Sequence, residues 1–170
     1  DPSKSYPNFG IYSFGRGLFR KVPIEGTSTS ASTLHRVKAG QFIYSRLFAF
    51  EGSYGLVTPE FDGFYVSSEY PTFECDETVV RVRFIAAYFR SEKVWKRVAV
   101  GSKGLGDRRQ RVQPPQILSH EVLVPPLEWQ DRIIEMQDQA DRARLLSGEM
   151  SELVGGLFPA FLHRLFNEGL

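Results

Sequence analysis

The stretch that decides the fold is residues 37–55, VKAGQFIYSRLFAFEGSYG. Its centre is rich in aromatic side chains, which fit a pleated, half-buried surface. Glycines at Gly40 and Gly52 predict turns beside this apolar run. The pattern therefore predicts a strand over Gln41–Phe50 and a second strand over Tyr54–Val57.

Short apolar runs between turn residues continue on both sides of this stretch. They predict further strands at Phe9–Phe14, Phe64–Ser67, Thr72–Cys75 and Glu121–Val124. A helical pattern interrupts them from about Val80 to Val100, with Ser91 as the cap between two short helices. This mixture predicts an α+β fold with an irregular, mostly antiparallel sheet and short helices.

The composition changes after the proline pair Pro125-Pro126. From Leu127 to about Val154 the sequence has no proline and one glycine. Apolar residues follow steps of four and three, which predict a coiled-coil-like helix about 40 Å long. Its predicted helix-pairing residues are Trp129, Ile133, Met136, Ala140, Ala143, Met150 and Leu153. Gly155-Gly156 is predicted to end the helix, before a short terminal helix.

Cysteine and histidine are scarce. The 170 residues include one cysteine, Cys75, and three histidines, His35, His120 and His163. One cysteine cannot form a disulfide within this sequence, and the four residues lack zinc-ligand spacing. This composition predicts a protein of the reducing cytoplasm. No apolar run approaches the roughly 18 residues that span a bilayer, which argues against a membrane protein.

The net charge of +1 conceals an alternation of charged blocks. Residues 51–80 hold seven acids and no Lys or Arg, whereas residues 81–112 hold ten bases and two acids. Such blocks are compatible with a basic face for a polyanion and acidic faces elsewhere.

The segment that most strongly suggests a function is residues 101–111, GSKGLGDRRQR. Glycines let backbone amides approach phosphates, and arginine binds phosphate or guanine edges in a bidentate fashion. The residues predicted to contact DNA here are Lys103, Arg108, Arg109, Gln110 and Arg111. The alternative is a solvated loop with surface arginines. A P-loop is excluded, because no Gly-Lys-Ser/Thr follows at the required spacing.

Further basic residues are interleaved with aromatic residues and glycine in residues 14–21, FGRGLFRK: Arg16, Arg20 and Lys21. This mixture suits nucleic-acid contact, although a hairpin turn with solvated bases would look the same. Arg46 lies in the middle of a predicted strand and needs a partner if it is buried. Glu51 and Glu60 are the candidate partners, so an ion pair and a DNA contact both stay open for Arg46.

A catalytic site is not indicated. An adenine methyltransferase needs an Asn/Asp-Pro-Pro-aromatic motif, but the proline pairs here lie in Gln113–Gln116 and Val124–Leu127. The acids of residues 51–77 lack the spacing of a nuclease core. A metal-dependent nuclease is therefore a minor alternative, and no metal site is predicted.

Residues 37–55 closely resemble the target-recognition domain of Type I restriction–modification specificity subunits. The same resemblance extends to other segments in order: Pro59–Gly63, Val66–Pro71, Tyr88–Glu92, Val124–Ile133 and Leu157–Phe166. Among these, Val124–Ile133 resembles the boundary where a proline pair opens the family's spacer helix. Trp129 departs from the pattern, since family members usually carry a second glutamate there.

The resemblance implies a non-catalytic DNA-specificity component. In that family two recognition domains are held apart by two long antiparallel helices, and each domain reads half of a bipartite DNA site. A separate subunit binds S-adenosylmethionine and methylates adenine, so no cofactor is expected on this chain.

Its expected partners are double-stranded DNA, the adenine methyltransferase subunit and the restriction/translocase subunit. One domain (1–127) and one spacer/dimerisation region (128–170) make half a subunit, which either forms an antiparallel homodimer or pairs with a second half. The alternatives are the recognition domain of a fused restriction–methyltransferase and a protein-interaction module without DNA binding.

Overall fold

The computed structural model describes residues 1–100 and 111–167, and from residue 149 onward it describes the backbone alone. The chain divides into two compact units, Asp1–Asp131 and Arg132–Leu170. The strands of the first unit are β1 (Ser5–Ile11), β2 (Leu18–Glu25), β3 (His35–Arg36), β4 (Phe42–Tyr44), β5 (Tyr54–Leu56), β6 (Tyr65–Val66) and β7 (Thr72–Phe73). The helices are α1 (Val82–Tyr88), α2 (Glu92–Ala99), α3 (Pro114–Leu118) and α4 (Leu127–Asn167), which starts in the first unit and continues as the second.

The strands form three small sheets. β1 and β2 make a hairpin, β3 pairs with β6, and β4 lies between β5 and β7. Within the described residues every pairing is antiparallel. Short helices and then a long helix follow, so the predicted α+β class is confirmed.

β4 separates two hydrophobic cores because side chains alternate across a strand. Phe42 and Tyr44 face a core that includes Phe89 and Trp95 from the helical layer. Ile43, which is fully buried, faces a second core that includes Phe9 of the hairpin. Three consecutive residues thus hold the helices on one side and the hairpin on the other.

The strand predicted over Gln41–Phe50 is shorter than expected. It ends at Tyr44, and Ala49–Glu51 forms a 3-10 helix that closes on Gly52, with φ +78°. A Cβ at Gly52 would lie 2.7 Å from Nε1 of Trp95. The turn therefore requires glycine for both its backbone conformation and its space, and this tight turn interrupts the predicted strand.

The hairpin also differs from the prediction. The strand predicted over Phe9–Phe14 ends at Ile11, and its partner β2 was not predicted at all. β2 carries basic residues and Pro23, which lacks an N–H and is tolerated beside the register shift between Tyr6 and Asn8.

Two further predictions about regular structure were wrong. Residues 121–124 form no strand, and Leu123 is 93% exposed, so its apolar character does not report burial. α4 passes through Gly155-Gly156 instead of ending there, and no separate terminal helix follows within the described residues. Each glycine lowers helix propensity by about 1 kcal/mol without forbidding the helical conformation.

The predicted pair of short helices is present as α1 and α2, with Ser91 at the N-cap position of α2 but without a capping hydrogen bond from its side chain. The 41 residues of α4 correspond to about 62 Å of helix. In the part of the chain that the structure describes, no helix is long and apolar enough to cross a membrane.

The first turn of α4 is fixed by Gln130, which is fully buried. Its Oε1 accepts a hydrogen bond from the backbone N–H of Arg81 at 2.8 Å. Its Nε2 donates to the carbonyls of Val79 at 3.1 Å and Pro125 at 2.8 Å. The Arg81 guanidinium also donates to both carboxylate oxygens of Asp131. One amide side chain therefore ties together the segments before α1 and before α4.

Candidate nucleic-acid interface

The tip of the β1–β2 hairpin has a tightly specified backbone. Phe14, Gly15 and Gly17 all have positive φ, at 64°, 63° and 86°. The amides of Phe14 and Gly15 donate to the carbonyls of Glu51 and Gly52 at 2.8 and 2.9 Å. The hairpin tip, which we define as Tyr12–Gly17, is thus held on the 3-10 turn that follows β4. The backbone of Phe14 adopts a conformation that is disfavoured for bulky residues. Its side chain is nevertheless 63% exposed to solvent.

Arg16 lies on this tip among aromatic rings. Its guanidinium carbon is 5.0 Å from the ring centre of Tyr12 and 6.0 Å from that of Phe14. Its Nε donates to the carbonyl of Ser13 at 3.0 Å. Among the described residues no carboxylate lies within ion-pair distance of Arg16, so its positive charge is presented to solvent.

The outer face of the hairpin continues this combination of rings and cations. The ring of Phe19 packs on that of Tyr12, with ring centres 4.2 Å apart and the ring planes inclined at 31°. Phe19 also covers Gly10, its cross-strand partner. Because side chains alternate along β2, the exposed Lys21 lies on the same face as Phe19. Lys21 and Arg16 therefore lie on the same side of the hairpin as this pair of packed aromatic rings.

Arg20 lies on the opposite face of β2 and has a structural role. Its guanidinium is 5.1 Å from the ring centre of Phe64 and 5.7 Å from that of Phe61. It also donates to the carbonyl of Glu60 at 3.2 Å. Arg20 therefore covers the second hydrophobic core, and its place in a DNA contact stays a prediction.

Arg46 lies in the turn after β4 rather than in mid-strand, and its ion-pair partner is neither Glu51 nor Glu60. Its NH1 is 3.8 Å from Oε1 of Glu69, and its NH2 donates to Gln113 at 2.6 Å. The sequence prediction of its partner was wrong because Glu69 is 23 residues away along the chain. The structure supports the ion-pair interpretation of this residue.

Glu69 also binds Arg111. The Nε of Arg111 donates to Oε2 of Glu69 at 3.1 Å, so two arginines share one carboxylate. Next to them Val112 is buried, and its N–H donates to the carbonyl of Arg46. The Tyr44 phenol donates to the carbonyl of Val112 at 3.0 Å, and burial raises the pKa of Tyr44, which keeps it a neutral donor.

The remaining predicted DNA-contacting residues lie outside the described residues: Lys103, Arg108, Arg109 and Gln110. The structure does describe Arg111 and Val112, the residues that follow these four. Arg111 and Val112 are fixed to the turn after β4, beside the 3-10 turn that supports the hairpin tip.

α2 adds basic residues that the sequence analysis did not single out. Its buried face carries Val94, Trp95 and Val98, and its exposed face carries Lys93, Lys96 and Arg97. Lys96 is paired with Glu92 at 2.5 Å. The signal was present in the sequence, since Lys93 and Arg97 are four residues apart and so share a helix face.

The hairpin tip and α2 are in contact. The rings of Phe14 and Trp95 meet edge to face with centres 6.4 Å apart. A Cβ on Gly15 would lie 3.0 Å from the side chain of Arg90. The fold therefore places the basic–aromatic hairpin beside the basic helix, and we call these two elements together the basic–aromatic surface.

Groups that serve metal or nucleophilic chemistry are not assembled here. In residues 1–100 and 111–148, no group of three or more His, Cys, Asp or Glu is placed to hold a metal ion. Burial raises the pKa of the Cys75 thiol, which favours its unreactive protonated form. His120 meets the hydroxyl of Tyr88 at 3.0 Å, and burial, followed by the charge of Arg97, lowers its pKa.

The predicted helix-pairing residues are exposed as far as their side chains are described. Trp129 is 56% exposed and Met136 is 69% exposed, and the side chains of Ile133, Ala140 and Ala143 are also exposed. The helical backbone includes Met150 and Leu153, whose side chains lie outside the described part.

Comparison with known proteins identifies the fold. No protein-family model matches the sequence, and no curated protein matches it. The structure is similar to the crystal structure of the HsdS subunit from Thermoanaerobacter tengcongensis, with a TM-score of 0.67 and 20% identity. A second similar chain comes from work on complex assembly and conformational transition of the type I R-M system, with a TM-score of 0.66 and 20% identity.

Both matches cover 96% of this chain but 44% of the other, so this chain spans less than half the length of either. The chain has the fold of an HsdS subunit, which confirms the resemblance inferred from the sequence.

Proposed function

We propose that this chain recognises one half of a bipartite double-stranded DNA site, as the specificity subunit or half-subunit of a Type I restriction–modification complex. The observation that carries the proposal is the HsdS fold over 96% of the chain. The match to 44% of the longer protein suits one recognition domain and one spacer helix.

The basic–aromatic surface supports a DNA contact in the first unit. Arginine and lysine without carboxylate partners attract phosphates, and neighbouring aromatic rings stack on exposed bases. Arg16 and Lys21 meet this description, whereas Arg46 and Arg111 share Glu69. We therefore assign the main electrostatic contribution among the described residues to the hairpin and α2.

The proposal includes no catalysis by this chain. Methylation falls to a partner adenine methyltransferase that binds S-adenosylmethionine, and cleavage to a partner restriction/translocase subunit, in the cytoplasm. The purified chain is then expected to neither methylate nor cleave DNA. Activity that survives removal of those subunits would contradict this part of the proposal.

The exposed apolar residues of α4 favour pairing with a second helix. Trp129 is 56% exposed and Met136 is 69% exposed, and a row of exposed apolar side chains along a helix marks an interaction surface. An antiparallel partner helix, from a second copy or from a second half-subunit, would cover them and place two recognition domains at opposite ends.

Duplex binding as a function of salt tests the proposed function. The chain is incubated with a library of random-sequence duplexes, and bound molecules are recovered and sequenced over several rounds. We expect one short sequence to be enriched and its affinity to fall steeply from about 50 to 200 mM salt. A chain that binds no duplex in a salt-dependent manner would instead be a protein-interaction module.

A matched pair of variants separates a specific interface from bulk charge. Arg16→Gln is expected to lower the slope of log K against log salt by about 0.9, the value for one lost phosphate contact. Lys4→Gln changes the charge equally, but Lys4 lies at the far end of the hairpin and is paired with Asp1 at 3.4 Å. Equal effects of the two variants would remove the hairpin tip from the interface.

A further inference from the structure

The structure holds one largely exposed aromatic side chain, that of Phe14, on a left-handed backbone. Phe14 is 63% exposed and is the only described non-glycine residue with a positive φ. A left-handed backbone is disfavoured for a bulky residue and persists only where the surroundings enforce it. Asn, Asp or Gly would adopt this conformation at a lower cost than phenylalanine.

The hairpin tip is rigidly supported. Hydrogen bonds from the amides of Phe14 and Gly15 hold it on the 3-10 turn, and Tyr12 closes it through its N–H to the carbonyl of Gly17 at 2.9 Å. The hydroxyl of Ser13 donates to the Glu51 carboxylate at 2.9 Å, a further contact between the tip and the 3-10 turn. The backbone that carries the Phe14 ring is therefore fixed.

The charge around this ring fits a polyanion. The guanidinium of Arg16 lies 6.0 Å from the centre of the Phe14 ring. The same ring meets Trp95 of α2, and the opposite, exposed face of this helix carries Lys93 and Arg97. Apolar side chains flanked by arginine or lysine are the arrangement with which proteins unstack a base step while they hold the adjoining phosphates.

We propose that Phe14 is a stacking wedge, which inserts at or stacks on a base step of duplex DNA while Arg16 binds the adjoining phosphate. The inference rests on the proposed function and adds a defined contact to it. Phe14 contributes through ring stacking, so it affects affinity at one step of the site, whereas Arg16 affects all sequences alike.

The test compares Phe14→Gly with Phe14→Tyr on the duplex enriched by the wild-type chain. Glycine accepts φ +64° without strain, so Phe14→Gly is expected to fold with an unchanged circular dichroism spectrum. Loss of the ring is expected to weaken binding about 5- to 150-fold, the range that corresponds to one base–aromatic stack. Phe14→Tyr keeps the ring and is expected to bind within about twofold of wild type. Phe14→Asn, which also tolerates this backbone, serves as a second ring-less variant if the glycine variant is unstable.

A direct readout distinguishes a wedge from a loss of general affinity. 2-Aminopurine is placed in turn at each adenine of the enriched duplex, and its fluorescence rises where a base is unstacked. We expect one position to brighten with wild type and Phe14→Tyr, but not with Phe14→Gly.

Val22→Ala removes apolar surface from an exposed position of β2 and is expected to leave both readouts unchanged. Equal affinity of Phe14→Gly and wild type, or brightening without the ring, would overturn the wedge and leave the proposed function standing. Failure of the wild-type chain to enrich any duplex would overturn both.

Discussion

Replacement of Gln130 tests the contact that fixes the start of α4. Gln130 is fully buried and makes three hydrogen bonds to backbone groups of residues 79, 81 and 125. Gln130→Leu has nearly the same volume, so it opens no large cavity. It leaves one N–H and two carbonyls without their partner, and these groups lie in a partly buried region.

The expected loss follows from these three groups. An unsatisfied buried polar group costs about 1–3 kcal/mol, and partial burial favours the lower end. Three groups at about 1 kcal/mol each give about 3 kcal/mol, which the buried leucine methyls offset in part. We expect a net loss of about 2 kcal/mol in the free energy of unfolding, or roughly 4–8 °C in melting temperature.

Urea unfolding of the purified chain, followed by circular dichroism, measures this loss. Gln139→Leu provides a control with the same chemical change at an exposed position of the same helix, and its midpoint is expected to match wild type. Gln130→Glu keeps the acceptor for the Arg81 N–H but cannot donate when ionised, so its penalty should grow as pH rises above about 4.3. A Gln130→Leu midpoint equal to that of wild type would refute the reasoning.

Three further predictions concern pH, assembly and the basic segment. Burial lowers the folded-state pKa of His120 below its ordinary 6.5, so protonation favours the unfolded state. The free energy of unfolding should therefore be highest above about pH 6.5 and fall below it. In urea titrations His120→Gln should reduce the fall between about pH 7 and 5, and an unchanged pH profile would exclude this role.

The chain is expected to sediment as a dimer at micromolar concentration, and the double variant Ala140→Glu, Ala143→Glu should be a folded monomer. A wild-type monomer would contradict the homodimer and would place the partner helix in the other half of a longer subunit. The last prediction concerns four bases of the basic segment, Lys103, Arg108, Arg109 and Arg111. Their replacement by glutamine should reduce the slope of log K against log salt by about 0.9 for each phosphate contact that is lost. An unchanged slope would exclude these residues from the interface.

The sequence predicted the elements whose signals are local. The alternation in Phe42–Tyr44 and the helical spacing around Ser91 both report burial within a few residues, and both are present in the structure. β2 escaped prediction because its pattern is exposed and basic, and its pairing with β1 stabilises it through the backbone. α3 escaped because five residues are too few for a periodic pattern.

The candidate site was less predictable because its contacts are distant along the chain. The tertiary fold brings Arg46 to Glu69, which lies 23 residues later in the sequence. It also brings the hairpin tip to the 3-10 turn at Glu51 and Gly52. The cluster Arg16, Arg20 and Lys21 was visible as composition, but its separation into two strand faces needed the register of β2. The sequence composition therefore indicated which segment is basic. The register of the strand determines which of its charged side chains pack on the core and which face solvent.

That distinction has an energetic basis in Glu69. Arg46 and Arg111 share its carboxylate, so a phosphate that approaches either guanidinium must compete with an ion pair that is already formed. Arg16 has a carbonyl and two aromatic faces for partners, and these leave its charge uncompensated. The attraction between an uncompensated charge and DNA appears in full in the salt dependence, whereas a shared carboxylate reduces it. Among the described residues we therefore expect Glu69 to make Arg46 and Arg111 weaker contributors to DNA binding than Arg16 of the hairpin tip.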